Sequence, residues 1–271
     1  MREQVTLTRV CLVQLDIQAS KKENLARVLS SIETARNQAD LIVFPEYCMG
    51  FPQEGLSRKY LTDLAEPITG EFVNGVVEAT KRTQVAVVIP IFESGDGSVY
   101  NTAVVVDRGR VLGGYRKIHL FDALGSRESD LFGAGSNPVL FKVKEMVFGL
   151  VICYDIRFPE LMRAEAMSGA QAVVAPSAWY AGPLKEEQWQ SILMARAHEN
   201  TIYVIGVGNA NHAFVGRSLV ADPLGVKVLD LGLGDGVGFY DLDERRISKA
   251  REMLPLLKQA GSMSYGRCVL L

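Results

Sequence analysis

The stretch Gly149 to Glu160, Gly-Leu-Val-Ile-Cys-Tyr-Asp-Ile-Arg-Phe-Pro-Glu, carries an apolar run into a single cysteine and then into a proline. Val147, Leu150, Val151 and Ile152 read as a buried strand. Pro159 suits the first position of a helix, and Leu161, Met162, Glu165 and Ala166 continue at helical spacing to Gly169. Cys153 is therefore expected on a strand-to-helix turn, facing outward beside free backbone N–H groups. A helix N-terminus favours negative charge and the thiolate is the reactive form of cysteine, so such a turn suits a nucleophile. A lone cysteine after an apolar run equally fits a buried core position. The rest of the chain has to decide between the two.

Working outward, Asp-Leu-Ile-Val-Phe-Pro-Glu (40–46) is another apolar run ending in an acid, and Gly-Tyr-Arg-Lys-Ile-His-Leu-Phe (114–121) sets a lysine in an otherwise apolar strand. Taken singly, Glu46 fits a loop cap and Lys117 a strand end from which the ammonium reaches water. Taken together and in this order, Phe-Pro-Glu, Lys-Ile-His-Leu-Phe and Cys-Tyr-Asp-Ile-Arg-Phe-Pro-Glu-Leu resemble the motifs of the nitrilase superfamily of carbon–nitrogen hydrolases. The resemblance runs from about residue 8 to 255. It implies a catalytic triad of Glu46, Lys117 and Cys153, and a single domain over 1–271 with 243–271 as a C-terminal tail. The implied fold is α/β, a four-layer α-β-β-α sandwich. The resemblance also implies a further glutamate near the lysine, Glu128 in Ser-Arg-Glu-Ser, and a homodimer or larger homo-oligomer. The last sixteen residues depart from the aromatic, arginine-rich ending that the family uses in subunit contacts, which leaves assembly through the tail open.

Composition sets the outer bounds. A chain of 271 residues with 48% apolar content can bury a large core as one or two domains. A net charge of −2, a pI near 6.0 and the lack of a long basic block give no expectation of nucleic acid or an anionic membrane as partner. The N-terminal residues lack the apolar stretch of a signal peptide, so a cytoplasmic location is expected. Cysteines 11, 48, 153 and 268 show no paired spacing, and free thiols are the expectation. No HExxH or CxxC signature appears, and no GxGxxG follows a strand. The glycine-rich run at 232–236 joins two strands without a following lysine and helix. No metal and no cofactor are expected.

Periodicity orders the elements. Strands are expected at 10–17, 41–44 and 85–92, with helices at 24–38 and 72–82 between them and a long Gly/Pro-containing excursion at 47–70 near the substrate mouth. A hairpin pairs 101–106 with 111–117, and 121–138 is irregular. A second hairpin brings 139–143 against the strand that leads to Cys153, followed by a helix at 159–168, a strand at 172–176, a helix at 183–199 and strands at 202–208, 218–221 and 226–229. The half starting near 147 repeats the order of the first, which hints at a duplicated unit. Composition alone also permits two separate doubly wound domains.

Amide hydrolysis needs a strong nucleophile, a donor for the developing oxyanion and a proton for the leaving amine. On this reading Glu46 takes the thiol proton and hands it to the nitrogen, while Lys117 and the backbone N–H of Tyr154 hold the oxyanion. The lysine charge is also expected to lower the thiol pKa from about 8.5. Arg157, four residues after the cysteine, fits a structural ion pair with Glu160 or Asp155; by resemblance it also fits a substrate carboxylate, which its planar fork suits. Tyr47, Trp179 and Tyr180 follow strand ends and are expected to line the pocket or its rim. Among the histidines, His119, two residues from Lys117 and so on the same strand face, offers a Cys–His alternative, whereas His198 falls in a helical run and His212 in a polar loop. Tyr154 and Asp155 stand where true nitrilases usually carry tryptophan and glutamate. The motif is similar instead to the branch of ω-amidases, deaminated glutathione amidases and some N-carbamoyl amino acid hydrolases. The expected activity is release of ammonia from a small carboxylate-bearing ω-amide. The alternatives are an N-carbamoyl amino acid amidohydrolase and a silent binding or scaffold subunit.

Overall fold

Short strands made wholly of apolar residues need cover on both faces. The computed structural model, which describes residues 7–262, supplies that cover with two sheets packed face to face and helices outside. The first half runs β1 (Leu7–Gln14), α1 (Lys21–Ala35), β2 (Leu41–Val43), α2 (Arg58–Leu64), α3 (Glu71–Thr80), β3 (Ala86–Gly95), β4 (Ser98–Asp107) and β5 (Arg110–Arg116). The second runs β6 (Val139–Val143), β7 (Met146–Leu150), α4 (Pro159–Met167), β8 (Ala172–Ser177), α5 (Lys185–Asn200), β9 (Tyr203–Gly208), β10 (Leu219–Ala221) and β11 (Lys227–Asp230). The chain then returns to the first sheet with β12 (Gly236–Asp243) and ends in α6 (Glu244–Met253) and α7 (Leu256–Ser262).

The sheets are ordered β12-β1-β2-β3-β4-β5 and β6-β7-β8-β9-β10-β11. In each, the first pair is antiparallel, the next two are parallel and the last two antiparallel. The repeated order expected from the sequence is therefore a repeat of strand polarity too. One difference breaks it: the edge filled by β6 in the second sheet is filled by the C-terminal β12 in the first.

Alternation along β1 shows how the layers form. Val10 and Leu12 point into the core between the sheets with Val43, Val88 and Val105, where they meet Phe148, Leu150, Val174 and Ile205. Cys11 and Val13 point the other way, against Val28 and Ile32 of α1 and Phe72, Val73 and Val76 of α3. Leu161, Met162, Trp189 and Leu193 cover the second sheet from α4 and α5. Each such fully buried side chain is worth about 1.5–3 kcal/mol. This is the α-β-β-α sandwich, with α4 starting at Pro159 and burying the four positions that its spacing marked, Leu161, Met162, Glu165 and Ala166.

Two details differ from the sequence reading, and one falls outside the described residues. The excursion at 47–70 contains α2, which buries only Leu61 and so leaves no periodic stripe to read. The basic run from Asp243 reads as one weakly amphipathic helix stopped by Pro255, whereas in the structure Pro255 separates two helices, α6 and α7. The excursion of the tail past 262, with Cys268, lies outside the described residues. Among the described residues no helix is long and apolar enough to cross a membrane.

The strand ends carry the chemistry. Glu46 follows β2, Lys117 follows β5, Cys153 follows β7 and Trp179 follows β8, so both sheets contribute to one rim. Gly208, at the end of β9, sits where a Cβ would strike the backbone carbonyl of Gly216, and its N–H donates to Ser218 Oγ at 2.9 Å. Backbone cannot move aside as a side-chain tip can. Gly208→Ala is expected to cost about 2–3 kcal/mol and to lower Tm by roughly 5–10 °C for a domain of this size, as read by thermal denaturation followed by circular dichroism.

Candidate active site

Two tight backbone elbows build the floor of the site. Tyr47, after Glu46, has φ 66°, and Cys153 has φ 46°; both are left-handed, a region that costs a non-glycine residue about 1–3 kcal/mol. The surroundings hold these conformations in place. Around Cys153 the restraint is Asp155, fully buried in the short 3₁₀ turn Cys153–Arg157. Its Oδ2 accepts from Ile152 N at 3.0 Å and from the Tyr115 hydroxyl at 2.8 Å, and its Oδ1 accepts from His119 N at 2.8 Å. His119 Nδ1 lies 2.8 Å from the same Oδ1, and the imidazole stacks on Phe158 with centroids 3.6 Å apart. Asp155 thus ties the turn bearing Cys153 to the segment bearing Lys117.

Lys117 is 1% exposed and lies between two carboxylates. Its Nζ is 2.9 Å from Glu46 Oε1 and 2.8 Å from Glu128 Oε2. Glu46 Oε1 also accepts from Asn101 Nδ2 at 2.8 Å, and its Oε2 accepts from Ala178 N at 2.7 Å. Glu128 takes Phe121 N at 2.6 Å, Asn101 Nδ2 at 3.3 Å and the Tyr47 hydroxyl at 3.4 Å. Neither Glu46 as a loop cap nor Lys117 as a solvent-reaching strand end fits these contacts.

Burial governs the protonation of the cluster. It pushes Glu46 above the usual carboxylate range; the Lys117 charge opposes this and Glu128 reinforces it. Burial alone would push Lys117 down, but the two carboxylates hold it well above the ordinary ammonium value. The Cys153 thiol corrects the sequence expectation. Lys117 does favour the thiolate, yet burial and then the negative charge of Glu46 outweigh it, so the thiol pKa is well above its ordinary value. At rest the sulfur is a thiol, with the Glu46 carboxyl beside it.

A cavity of about 30 Å³ opens on Cys153, lined by Glu46, Tyr47, Lys117, Tyr154, Trp179 and Tyr180 among others. The structure thus gathers the triad residues and the three expected aromatics around one space. Arg157 and Lys185 border it too, and continue into an outer vestibule of about 350 Å³. Among the described residues Arg157 forms no ion pair with Glu160 or Asp155; its guanidinium lies 4.2 Å from the Trp179 ring centroid. Lys185 is held below the usual ammonium range by partial burial and by the charge of Arg157. Among the described residues these two cations have no carboxylate partner, and both face one opening.

The sequence reading missed Asn101, Phe121 and Lys185 as parts of the site. An asparagine heading the apolar run of β4 was the available signal for the first, and the lysine of Pro-Leu-Lys-Glu for the last. The Cys–His alternative fails on geometry: β5 ends at Arg116, so strand alternation does not reach His119, which belongs to Asp155. His198 Nδ1 lies 3.0 Å from the Leu224 carbonyl.

Residues 9–252 match the carbon-nitrogen hydrolase family. The chain belongs to that family. The deaminated glutathione amidase of Escherichia coli O157:H7 is 32% identical over 239 residues, spanning 87% of this chain and 90% of its own. The omega-amidase NIT2 of Mus musculus is 32% identical over 274 residues, spanning 95% and 96%. Among solved structures, Saccharomyces cerevisiae Nit3, of branch 10 of the nitrilase superfamily, is similar with a TM-score of 0.81 at 29% identity, covering 94% of this chain and 96% of that one. The protein is a carbon-nitrogen hydrolase whose relatives are amidases.

The carboxylate of Asp155 is the joint most sensitive to loss. Asp155→Ala leaves the Ile152 and His119 N–H groups and the Tyr115 hydroxyl without their acceptor, and is expected to cost about 3–5 kcal/mol. Tyr115→Phe, which removes one donor only, should cost about 1 kcal/mol. Urea denaturation of the two variants beside wild type measures both.

Proposed function

We propose that this carbon-nitrogen hydrolase is a thiol-dependent amidase that converts a small carboxylate-bearing ω-amide to acid and ammonia through an acyl-thioester on Cys153. The observation that carries the substrate class is the pair Arg157 and Lys185, two cations at the mouth of the Cys153 pocket with no carboxylate partner among the described residues. The inner cavity fits a carboxamide head and little more, and the carboxylate lies outward against the guanidinium fork. The amidase relatives, one named for deaminated glutathione and one for ω-amides, support the same class.

The chemistry follows from the cluster. The thiol attacks the amide carbon and its proton passes to Glu46, the buried carboxylate whose raised pKa suits proton uptake. The oxyanion faces Lys117 and the N–H of Tyr154, which lies in the first turn after the elbow and has no intrahelical partner. Glu46 then protonates the leaving nitrogen, ammonia departs, and the carboxylate takes a proton from water as the thioester is cleaved. Glu128 and Asn101 keep Lys117 and Glu46 in register through the contacts described above.

The deciding assay is ammonia release from α-ketoglutaramate, deaminated glutathione, an N-carbamoyl amino acid, an aliphatic amide and a nitrile. Turnover of an ω-amide that disappears in Cys153→Ala is expected; turnover of the carbamoyl compound alone would reassign the substrate. Absence of turnover together with no alkylation of Cys153 by iodoacetamide would leave a binding subunit. Arg157→Met should raise KM for the carboxylate-bearing amide about 10- to 100-fold, the loss of one charged hydrogen-bonded contact, and should leave the aliphatic amide unaffected.

The pH dependence has a definite sign. A base must be unprotonated, and Glu46 is raised, so kcat/KM should fall with decreasing pH through a limb placed above the ordinary carboxylate range. Glu128 contributes to that raised value. Glu128→Gln should therefore move the limb to lower pH, read from pH–rate profiles of the two proteins.

A further inference from the structure

A second cavity of about 180 Å³, the rear cavity, adjoins the pocket on Cys153. It shares Tyr47, Phe121 and Tyr180 with that pocket and is further lined by Leu56, Ser126 and Glu128 among others. Glu46 and Lys117 border the front pocket, whereas Glu128 borders the rear cavity. Lys117 Nζ touches both carboxylates, so the ion cluster links groups that border the two spaces.

The front pocket imposes a constraint on the second half of the reaction. At about 30 Å³ it has room for roughly two water-sized groups. Once the acyl group is on sulfur, that space is taken, and the tail lies outward between Arg157 and Lys185, across the front opening. Water for cleavage of the thioester must come from elsewhere. Asn101 provides an independent sign of water beside the carboxylates. It is 1% exposed and its Nδ2 donates to Glu46 and Glu128, yet among the described residues its buried Oδ1 has no partner. A buried acceptor calls for a donor, and one placed beside both carboxylates is well met by water. Ser126, Glu128 and the Tyr47 hydroxyl supply polar groups along the rear cavity.

We propose that the rear cavity delivers the hydrolytic water, past Ser126 and Glu128 to Glu46, while the acyl group occupies the front pocket. The inference rests on the thioester reading above. In the step, the water oxygen bonds to the thioester carbon and its proton goes to Glu46. The carbon–sulfur bond then breaks and the sulfur takes that proton back, which leaves the acid and the free thiol.

Filling the rear cavity tests this. Ser126→Phe and Leu56→Trp act from separate loops, so failure of one to fold leaves the other, and Ser126→Ala keeps the cavity open as a control. With saturating α-ketoglutaramate, acid-quenched samples are analysed by intact mass for the Cys153 acyl adduct beside steady-state kinetics. The expected result is a kcat lowered at least about tenfold, kcat/KM within about twofold of wild type, and accumulation of the acyl-enzyme, the pattern of a slowed second half-reaction. Unchanged kcat without adduct, or equal falls in kcat and kcat/KM, would overturn the route. If wild type and variants turn over but yield no adduct and no hydroxamate with hydroxylamine, the thioester reading fails and takes the route with it.

Discussion

The ammonium of Lys117, removed from water between Glu46 and Glu128, is the contact on which the rest of the molecule depends. Burying a lone ion costs several kcal/mol, and a buried pair is tolerated only with close geometry and full hydrogen bonding. That requirement is met by residues drawn from three strand ends, the interior of β4 and one loop: Asn101, Ala178 and Phe121 complete the shell of donors around the two carboxylates. One cation among two acids leaves an excess of negative charge in a dry site. Burial is what lifts Glu46 toward protonation, with Glu128 adding to it, and burial together with the Glu46 charge raises the neighbouring thiol. The Glu46 carboxyl and the Cys153 thiol are therefore raised by a common cause rather than separately.

Such a cluster works only if its members cannot drift, and the backbone is spent to fix them. The elbows at Tyr47 and Cys153 turn their side chains off the strands into left-handed conformations that a relaxed chain would leave. Asp155 opposes that relaxation at Cys153 by bonding to the strand residue before it and to the segment after Lys117. The aromatic shell works at a larger scale: Tyr47, Phe51 and Phe214 pack on one another, with Tyr180 against Phe214, so the wall of the pocket is braced by rings from distant parts of the chain.

What could be read in advance follows the range of the interactions involved. Local signals, such as apolar runs of fixed length, the proline at the start of α4 and the turn of the β4–β5 hairpin, were legible because they act within a few residues. The identities of Glu46, Lys117 and Cys153 were legible because each sits in a distinctive local context. Burial was not. The thiol expectation had the right sign for Lys117 and the wrong net direction, since desolvation depends on how the two sheets close over the site. Asn101 and Lys185 gain their meaning only from partners far along the chain. α2 buries one side chain and so offers no pattern at all. Arg157, read as one half of an ion pair or as a ligand for substrate, turned on Trp179, a neighbour from another strand.

The place of β12 bears on how the chain comes together. The second sheet is contiguous, from Val139 to Asp230, and each of its pairings joins segments near in sequence. The first is not: its edge beside β1 is closed by residues up to Asp243, which pairs with Leu7. Loop closure over such a span is slow and comes late. During synthesis from the N-terminus, β1 is left with an open edge until nearly the whole domain has been made, while the six strands of the later sheet find their partners among recent neighbours. The nascent chain thus carries one strand with an unpaired edge for most of its elongation, the kind of edge that holding chaperones and aggregation compete for.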